Sequence, residues 1–266
     1  MLKFDHVSFA YGKENTINDM SFHINKGDFV AIIGENGAGK TTLAKLCNGL
    51  LKPGSGSVTV NGLDTRTART SRIARSVGFL FQNPDRQICQ KTIREEILFG
   101  LQFTVEDETE REKRCEAVLS EFGFDGSHDP FSKSRGERQR IALASLLACE
   151  PEVLILDEPT TGLDWRECMQ IMELVQKRNA EGATVLMVCH DMELVQDFAK
   201  RILVVTGGSL IGDGSMEEMM TNEPLLERAS VSSAQIPALA MRFGDAFKNI
   251  YTAEQMAEAI ERRCAR

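Results

Sequence analysis

Apolar and polar residues follow a strand pattern at the start of this chain. Phe22 and Ile24 alternate with polar neighbours, which is typical of a strand with one buried face. Residues 29–33 form a continuous apolar run, which favours a strand buried on both faces. A helical pattern then covers Thr41–Asn48, with Leu43 and Leu46 on one face. Residues 1–33 are therefore predicted as strands, and a helix is predicted at 41–48.

The spacing of apolar residues changes in the middle of the chain. A buried strand is predicted at 77–81, and the residues from about 83 to 150 are mainly helical. One helix of this region begins with the capping box Thr92-x-x-Glu95. This pattern predicts a helical subdomain inserted between sheet-forming segments.

Strands and helices alternate again after residue 150. Continuous apolar strands are predicted at 153–156, 184–189 and 202–205, with helices at 167–179 and 192–199. Such alternation predicts an α/β fold with a mainly parallel sheet that is covered on both faces.

The composition shifts after Thr221. Two further helical patterns, at 234–243 and 252–263, carry no recognisable motif. We predict one domain over residues 1–222 and a helical C-terminal extension over residues 223–266.

Composition limits the function classes. The net charge of −8 argues against a general nucleic-acid-binding protein, which would normally be basic. No apolar run is long enough to span a membrane, and the N-terminus turns polar too early for a signal peptide. The seven cysteines lack the spacing of a zinc site, so reduced thiols in a cytosolic protein are expected.

The strongest motif runs from Gly34 to Thr41. It fits the phosphate-binding pattern G-x-x-x-x-G-K-[S/T], with a buried strand before it and a helix after it. Its glycines let backbone N–H groups surround phosphates, and the helix N-terminus adds a partial positive charge. Lys40 is expected to reach the β- and γ-phosphates of a nucleotide, and Thr41 to bind Mg²⁺. The predicted phosphate-binding residues are Gly34, Asn36, Gly37, Ala38, Gly39, Lys40, Thr41 and Thr42.

A second motif ends the strand at 153–156 with two carboxylates, Asp157 and Glu158. Ligands of open α/β sheets bind at this edge of the sheet. Asp157 is expected to hold Mg²⁺ through water, and Glu158 to act as the general base on the attacking water. Together with the phosphate loop, this pair predicts a nucleoside triphosphatase.

Several segments resemble the ATP-binding cassette (ABC) ATPases, in the order that family has them. Residues 157–164 look like its catalytic strand and D-loop, and residues 185–191 resemble its switch-histidine segment. Gln82 resembles the Q-loop glutamine, and Tyr11 lies where the family places an aromatic ring on adenine.

This resemblance implies roles for the matching residues. His190 would contact the γ-phosphate, and Gln82 would sense Mg²⁺ and the attacking water. Asp164 would face the nucleotide of a partner subunit, although it could equally cap the following helix. The implied fold is a P-loop α/β sheet with an antiparallel N-terminal β-subdomain and an inserted helical subdomain.

A narrower resemblance concerns residues 82–88, Gln-Asn-Pro-Asp-Arg-Gln-Ile, and the segment 92–100. They look like the energy-coupling-factor branch, the vitamin and metal-ion importers. The branch implies an ATP-hydrolysing subunit held at the cytoplasmic face by a transmembrane coupling subunit, with a separate membrane protein binding the solute. The alternatives are the ATPase of another ABC transporter and an ATP-binding scaffold subunit with little turnover.

The chain departs from the family at the signature segment, residues 133–137. The family usually has Leu-Ser-Gly-Gly-Gln, and this chain has Lys-Ser-Arg-Gly-Glu. Ser134 and Gly136 are kept, and Ser134-x-x-Glu137 is a capping box that should still start a helix. Arg135 would either obstruct a phosphate bound by the partner subunit or pair with it. The intact catalytic motifs beside this altered segment favour a heterodimer with a second ABC ATPase over a homodimer.

Overall fold

Strands and helices alternate along the chain. The computed structural model describes residues 1–244, 247 and 249–264. The strands are β1 (Leu2–Tyr11), β2 (Glu14–Ile24), β3 (Phe29–Ile33), β4 (Ser55–Val60), β5 (Leu63–Asp64), β6 (Val77–Leu80), β7 (Val153–Asp157), β8 (Thr184–Val188), β9 (Arg201–Thr206) and β10 (Ser209–Ser215). The helices are α1 (Lys40–Cys47), α2 (Thr70–Ile73), α3 (Ile93–Leu101), α4 (Glu108–Phe122), α5 (Arg135–Ala148), α6 (Trp165–Ala180), α7 (Met192–Phe198), α8 (Met216–Met220), α9 (Glu223–Arg228), α10 (Gln235–Arg242) and α11 (Ala253–Cys264).

The main sheet is mostly parallel, as predicted. Its strand order is β10-β9-β3-β8-β7-β6, and only β10 runs antiparallel, paired with β9. Every residue of β3, β7 and β8 is buried, because helices cover both faces of a parallel sheet. The carboxyl ends of β3 and β7 therefore meet at one edge, where both predicted motifs lie.

The N-terminal strands form a second, antiparallel sheet of order β2-β1-β4-β5. Its inward side chains include Phe4 and Phe22, whose rings stack at 4.5 Å. These side chains share one apolar cluster with Leu43 and Leu46 of α1. The predicted antiparallel β-subdomain is confirmed, and it supports the helix that begins at the phosphate loop.

The predicted helical subdomain consists mainly of α3, α4 and α5, together with short 3₁₀ turns at Pro84–Arg86 and Pro130–Ser132. The Thr92 hydroxyl accepts from the Glu95 backbone N–H, and the Glu95 carboxylate accepts from the Thr92 N–H. This capping box is confirmed. Ile97 and Phe122 of these helices join the same core as the main sheet.

The C-terminal region contains the two predicted helices, α10 and α11, and two shorter ones that periodicity could not reveal, α8 and α9. Leu225 and Leu226 of α9 pack into the main core. A separate small cluster brings Phe247 and Met256 together. The division of the chain at residue 222 remains a prediction. None of the helices that the structure describes is both long and apolar enough to cross a membrane.

Candidate active site

The phosphate loop joins β3 to α1 and depends on two glycines with positive φ. Gly34 has φ 148°, and a Cβ there would lie 1.9 Å from the Val205 carbonyl oxygen of β9. Gly39 has φ 98°, and its Cβ would lie 2.8 Å from the Thr16 carbonyl oxygen. The loop is therefore pressed between the main sheet and β2, which leaves no room for side chains at these positions.

Lys40 begins α1 and folds back over the loop. Its Nζ donates to the carbonyl oxygens of Gly34 at 2.7 Å and Glu35 at 2.8 Å. Burial lowers the pKa of Lys40, and the nearby carboxylates of Glu158 and Asp157 oppose that shift. The ammonium group is thus held at the loop by backbone oxygens, in a position to contact an anion bound there.

Thr41 connects the phosphate loop to the end of β7. Its hydroxyl donates to Oδ1 of Asp157 at 2.9 Å. Asp157 is only 3% exposed, and this burial raises the pKa of its carboxyl group. The two motifs, more than a hundred positions apart in sequence, thus form one site.

Three side chains surround the Glu158 carboxylate. Gln82 Nε2 donates to Glu158 Oε2 at 2.6 Å, and the Thr161 hydroxyl donates to the same oxygen at 3.0 Å. His190 Nδ1 lies 3.7 Å from it. Glu158 itself has φ 49°, a conformation that is uncommon outside glycine.

A cavity of about 400 Å³ opens between these groups. It is lined by Thr16, Asn36, Gly37, Gly39, Lys40, Thr41, Thr42, Gln82 and Glu158. Its walls are polar and carry one ammonium and one carboxylate, which suits a phosphorylated ligand.

Tyr11 does not line this cavity. It is 51% exposed at the end of β1, and its ring meets Phe9 edge-on at 4.9 Å. An exposed aromatic ring on the β-subdomain can stack on a flat ligand. Its role toward adenine stays a prediction.

The signature segment, residues 133–137, also lies outside the cavity lining. The predicted capping box is confirmed: Ser134 accepts from the Glu137 N–H, and the Glu137 carboxylate accepts from the Ser134 N–H. Asp164 forms the same kind of box with Glu167 at the start of α6. Its capping role is therefore present, and its role toward a partner's nucleotide stays a prediction.

The loop after Gln82 is tied to helix α5. Arg138 donates to the Asp85 carboxylate at 2.7 Å and to the Lys133 carbonyl at 2.6 Å. The Gln87 side-chain amide donates to the Ala142 carbonyl at 3.1 Å. The loop from 82 to 87 and the helix that carries the signature segment are therefore mechanically linked.

Sequence reasoning missed Thr161, Thr16 and Arg138. Thr161 lies within the D-loop segment (residues 159–164), but no pattern indicates that its hydroxyl reaches Glu158. Thr16 lies on β2, far from the phosphate loop in sequence, and only the packing of the two sheets brings it close.

Comparisons with known proteins agree with this geometry. Residues 17–161 match the family described as ABC transporter. The chain belongs to this ABC transporter family. It is 39% identical over 259 residues to an ABC transporter ATP-binding protein from Caldanaerobacter subterraneus subsp. tengcongensis, which covers 96% of this chain and 45% of that protein. This chain spans about half the length of the curated ABC relatives it matches.

Solved ABC structures have the same fold. The structure of cbiO1 from Clostridium perfringens, described as part of the ABC transporter complex cbiONQ, has a TM-score of 0.75, with 30% identity over 85% of this chain and 92% of that one. A dimeric ATP-binding cassette in a post-hydrolysis state, bound to ADP and Pi, has a TM-score of 0.73, with 28% identity over 81% of this chain and 99% of that one. The chain therefore carries an ABC ATPase domain of P-loop α/β fold.

Proposed function

We propose that this chain hydrolyses ATP to power a membrane importer of the energy-coupling-factor type, which takes up a vitamin or a metal ion. The observation that carries the hydrolysis is the Glu158 carboxylate, held beside the phosphate loop by Gln82 and Thr161. Both hydrogen bonds reach Oε2, which leaves Oε1 to accept a proton from an attacking water. His190 would contact the γ-phosphate from the end of β8.

ATP would bind along the phosphate loop. Backbone N–H groups from Gly34 to Thr41 and the N-terminus of α1 favour a triphosphate, and Lys40 would contact its β- and γ-phosphates. Thr42 lines the same cavity. Tyr11 would stack on adenine, for which its exposed ring is available.

The residues around Asp157 fit Mg²⁺. The Thr41 hydroxyl, the Asp157 carboxylate and the Gln82 amide oxygen are hard oxygen ligands of the kind Mg²⁺ prefers, and Thr41 and Asp157 are already in contact. Asp157 is a buried carboxylate beside the phosphate loop, and a bound cation would compensate its charge. When bound, Mg²⁺ would neutralise charge on the phosphates.

The proposed partners follow from the resemblance and from the altered signature segment. A second ABC ATPase would complete the site, with a heterodimer preferred over a homodimer. Ser134 and Gly136 of this chain would face the partner's nucleotide. A transmembrane coupling subunit would hold the pair at the cytoplasmic face of the membrane, and a separate membrane protein would bind the solute. Nucleic acid is not a proposed partner.

Three features support the importer branch. The solved cbiO1, at 30% identity, is described as part of a cbiONQ complex. In this chain the loop from 82 to 87 is fastened to α5 through Asp85 and Arg138, which would let a force on that loop reach the signature segment. A groove on the same subdomain carries the apolar side chains of Leu98 and Phe99 among polar and charged ones, and it would receive an amphipathic helix of a membrane subunit.

Steady-state Mg-ATP hydrolysis tests the proposal, with the isostere Glu158→Gln as the matched control. The assay is run on the purified chain alone and on the complex that it forms with co-expressed partner subunits. Turnover that Glu158→Gln abolishes, while ATP binding persists, supports the enzyme. ATP binding without turnover in both preparations would instead support the scaffold subunit, whose one supporting feature is the altered signature segment.

The importer assignment has its own test. Deletion of the gene should abolish uptake of one labelled vitamin or metal ion, and the wild-type chain, but not Glu158→Gln, should restore it. Loss of export or no transport defect would favour the ATPase of another ABC transporter.

A further inference from the structure

The first turns of α5 and α6 interlock in this structure. At one contact, a Cβ added to Gly162 would lie 3.2 Å from a terminal nitrogen of Arg135 and 3.3 Å from its guanidinium carbon. The guanidinium group therefore covers the space where Gly162 has no side chain. Gly162 has φ 79°, so glycine is favoured there on backbone grounds as well.

A second contact runs in the opposite direction. A Cβ added to Gly136 would lie 2.3 Å from Oε1 of Glu167, so this carboxylate fills the space beside Gly136. The other oxygen of Glu167 accepts from the Asp164 N–H at 3.1 Å as part of the α6 capping box. The signature segment thus contacts the D-loop segment through Arg135 and the first turn of α6 through Gly136.

The position of Arg135 requires a specific explanation. It is the first residue of α5, where a positive charge opposes the partial positive charge of the helix N-terminus. Its side chain is exposed and could extend into solvent, yet its guanidinium lies over the backbone of the D-loop segment. A planar guanidinium can cover a glycine peptide in a way that a lysine ammonium cannot.

We propose that Arg135 is a positioning residue that fixes the D-loop segment against the signature segment of its own chain. The structural part of this proposal stands on the Gly162 contact alone. Its functional consequence rests on the proposed function: both segments would face the nucleotide of the partner subunit, so Arg135 sets how the two are presented together. Arginine in this altered signature is therefore neither a simple obstruction nor primarily a phosphate ligand.

The chain contains its own reporter for this contact. Trp165 is the one tryptophan of the sequence, is 56% exposed and lies three residues after Gly162. Its fluorescence anisotropy and its quenching by acrylamide can be measured on the full chain without nucleotide or partner. For Arg135→Ala we expect anisotropy to fall and the quenching constant to rise about 1.5-fold, because a released loop samples more conformations. The exposed Arg72→Ala on α2 is the matched control and should leave both unchanged.

Arg135→Lys separates shape from charge. Because lysine keeps the charge and loses the planar group, we expect it to resemble Arg135→Ala in both fluorescence measurements. In the hydrolysing complex, both variants should lower kcat with little change in the KM for ATP, since a positioning residue acts through the D-loop segment and Arg135 does not line the cavity at the phosphate loop. A lysine variant that restores kcat would overturn the positioning role and show that the charge acts on a phosphate.

Gly162→Ala approaches the same contact from the other side. It should increase the mobility of Trp165 in the wild-type background, and by less when Arg135 is already alanine, since part of its effect is displacement of the guanidinium. Unchanged Trp165 anisotropy and quenching in Arg135→Ala and Arg135→Lys, with circular dichroism showing a native fold, would refute the proposal. That outcome is independent of hydrolysis, so it is distinguishable from failure of the proposed function.

Discussion

Gln82 Nε2 and Glu158 Oε2 lie 2.6 Å apart, which joins the loop after β6 to the residue that follows strand β7. The same loop is fastened through Asp85 to Arg138 of α5. These contacts form a continuous path from α5 through one short loop to the proposed general base. In the proposed transporter, the helical subdomain and the hydrolytic site would be coupled by this contact.

Thr161 offers the first prediction. Thr161→Val removes the hydroxyl that holds Glu158 Oε2, while the shape of the side chain is nearly kept. We expect kcat to fall by about tenfold with little change in KM, because a hydrogen bond to a charged group contributes about 1.5 kcal/mol or more.

Thr161→Ser is the control for this prediction, since it keeps the hydroxyl and should retain most of the activity. Steady-state kinetics of the complex measure both variants. Equal rates for Thr161→Val and the wild type would show that Gln82 alone is sufficient to position Glu158.

Gly34 and Gly12 form a matched pair for folding. Both have positive φ, but only Gly34 is crowded: a Cβ there would lie 1.9 Å from Val205 O, whereas nothing lies within 4 Å of a Cβ at Gly12. Gly12→Ala should cost about 1–2 kcal/mol in unfolding free energy, from backbone strain alone. Gly34→Ala should leave little folded protein. Soluble yield and urea unfolding measure the difference, and similar unfolding free energies for the two variants would contradict the packing argument.

Asp157 is predicted to reduce the stability of the nucleotide-free fold. Burial raises its pKa in the folded state above the unfolded value, so ionisation destabilises the folded protein. This loss of stability is absent at pH values below the pKa that Asp157 has in the unfolded chain. It is complete once the pH exceeds the raised pKa that Asp157 has in the folded protein. At pH 7 in EDTA, Asp157→Asn should raise Tm by about 2–4 °C, which corresponds to about 1 kcal/mol in a chain of this size.

The difference in Tm between Asp157→Asn and the wild type should become smaller as the pH falls toward about 4, where carboxyl groups of unfolded chains usually titrate. Asp213→Asn is the control, and it should lower Tm instead of raising it. Asp213 accepts two hydrogen bonds from Arg201, at 2.6 and 2.7 Å, which the variant would weaken. Scanning calorimetry measures both variants. A lower Tm for Asp157→Asn at pH 7 would show that the Thr41 hydrogen bond outweighs the cost of burial.

The cysteines are predicted to differ sharply in reactivity. Cys89 is exposed, whereas burial raises the pKa of Cys115 to about 11 and of Cys189 to about 12. Brief treatment with N-ethylmaleimide at pH 7.5 should therefore modify Cys89 first among the cysteines whose side chains the structure describes, because the thiolate is the nucleophile. Peptide mapping by mass spectrometry identifies the site, with Cys89→Ser as the control. Early labelling of Cys189 would show that β8 opens readily.

The sequence alone determined the local chemistry. The glycine spacing from Gly34 to Lys40, the apolar strand that ends at Asp157 and the two capping boxes at Thr92 and Ser134 are all local patterns, and local patterns determine strands, helix starts and motif identity. They were sufficient to predict the parallel sheet, the helical subdomain and the adjacency of the phosphate loop and the Asp157-Glu158 motif. Helices α8 and α9 escaped prediction because each is too short to show a period.

Only the tertiary structure decided which side chains meet. The hydrogen bond from Thr161 to Glu158 depends on the turn after β7. The ion pair between Asp85 and Arg138 depends on how α5 packs against the loop after β6. The guanidinium of Arg135 reaches Gly162 because the N-termini of α5 and α6 lie side by side. Such contacts depend on helix packing and side-chain rotamers, which single-chain periodicity does not encode. For Arg135, the sequence left open whether the side chain obstructs a phosphate or pairs with it, and only the packing at the start of α5 and α6 places its guanidinium beside Gly162.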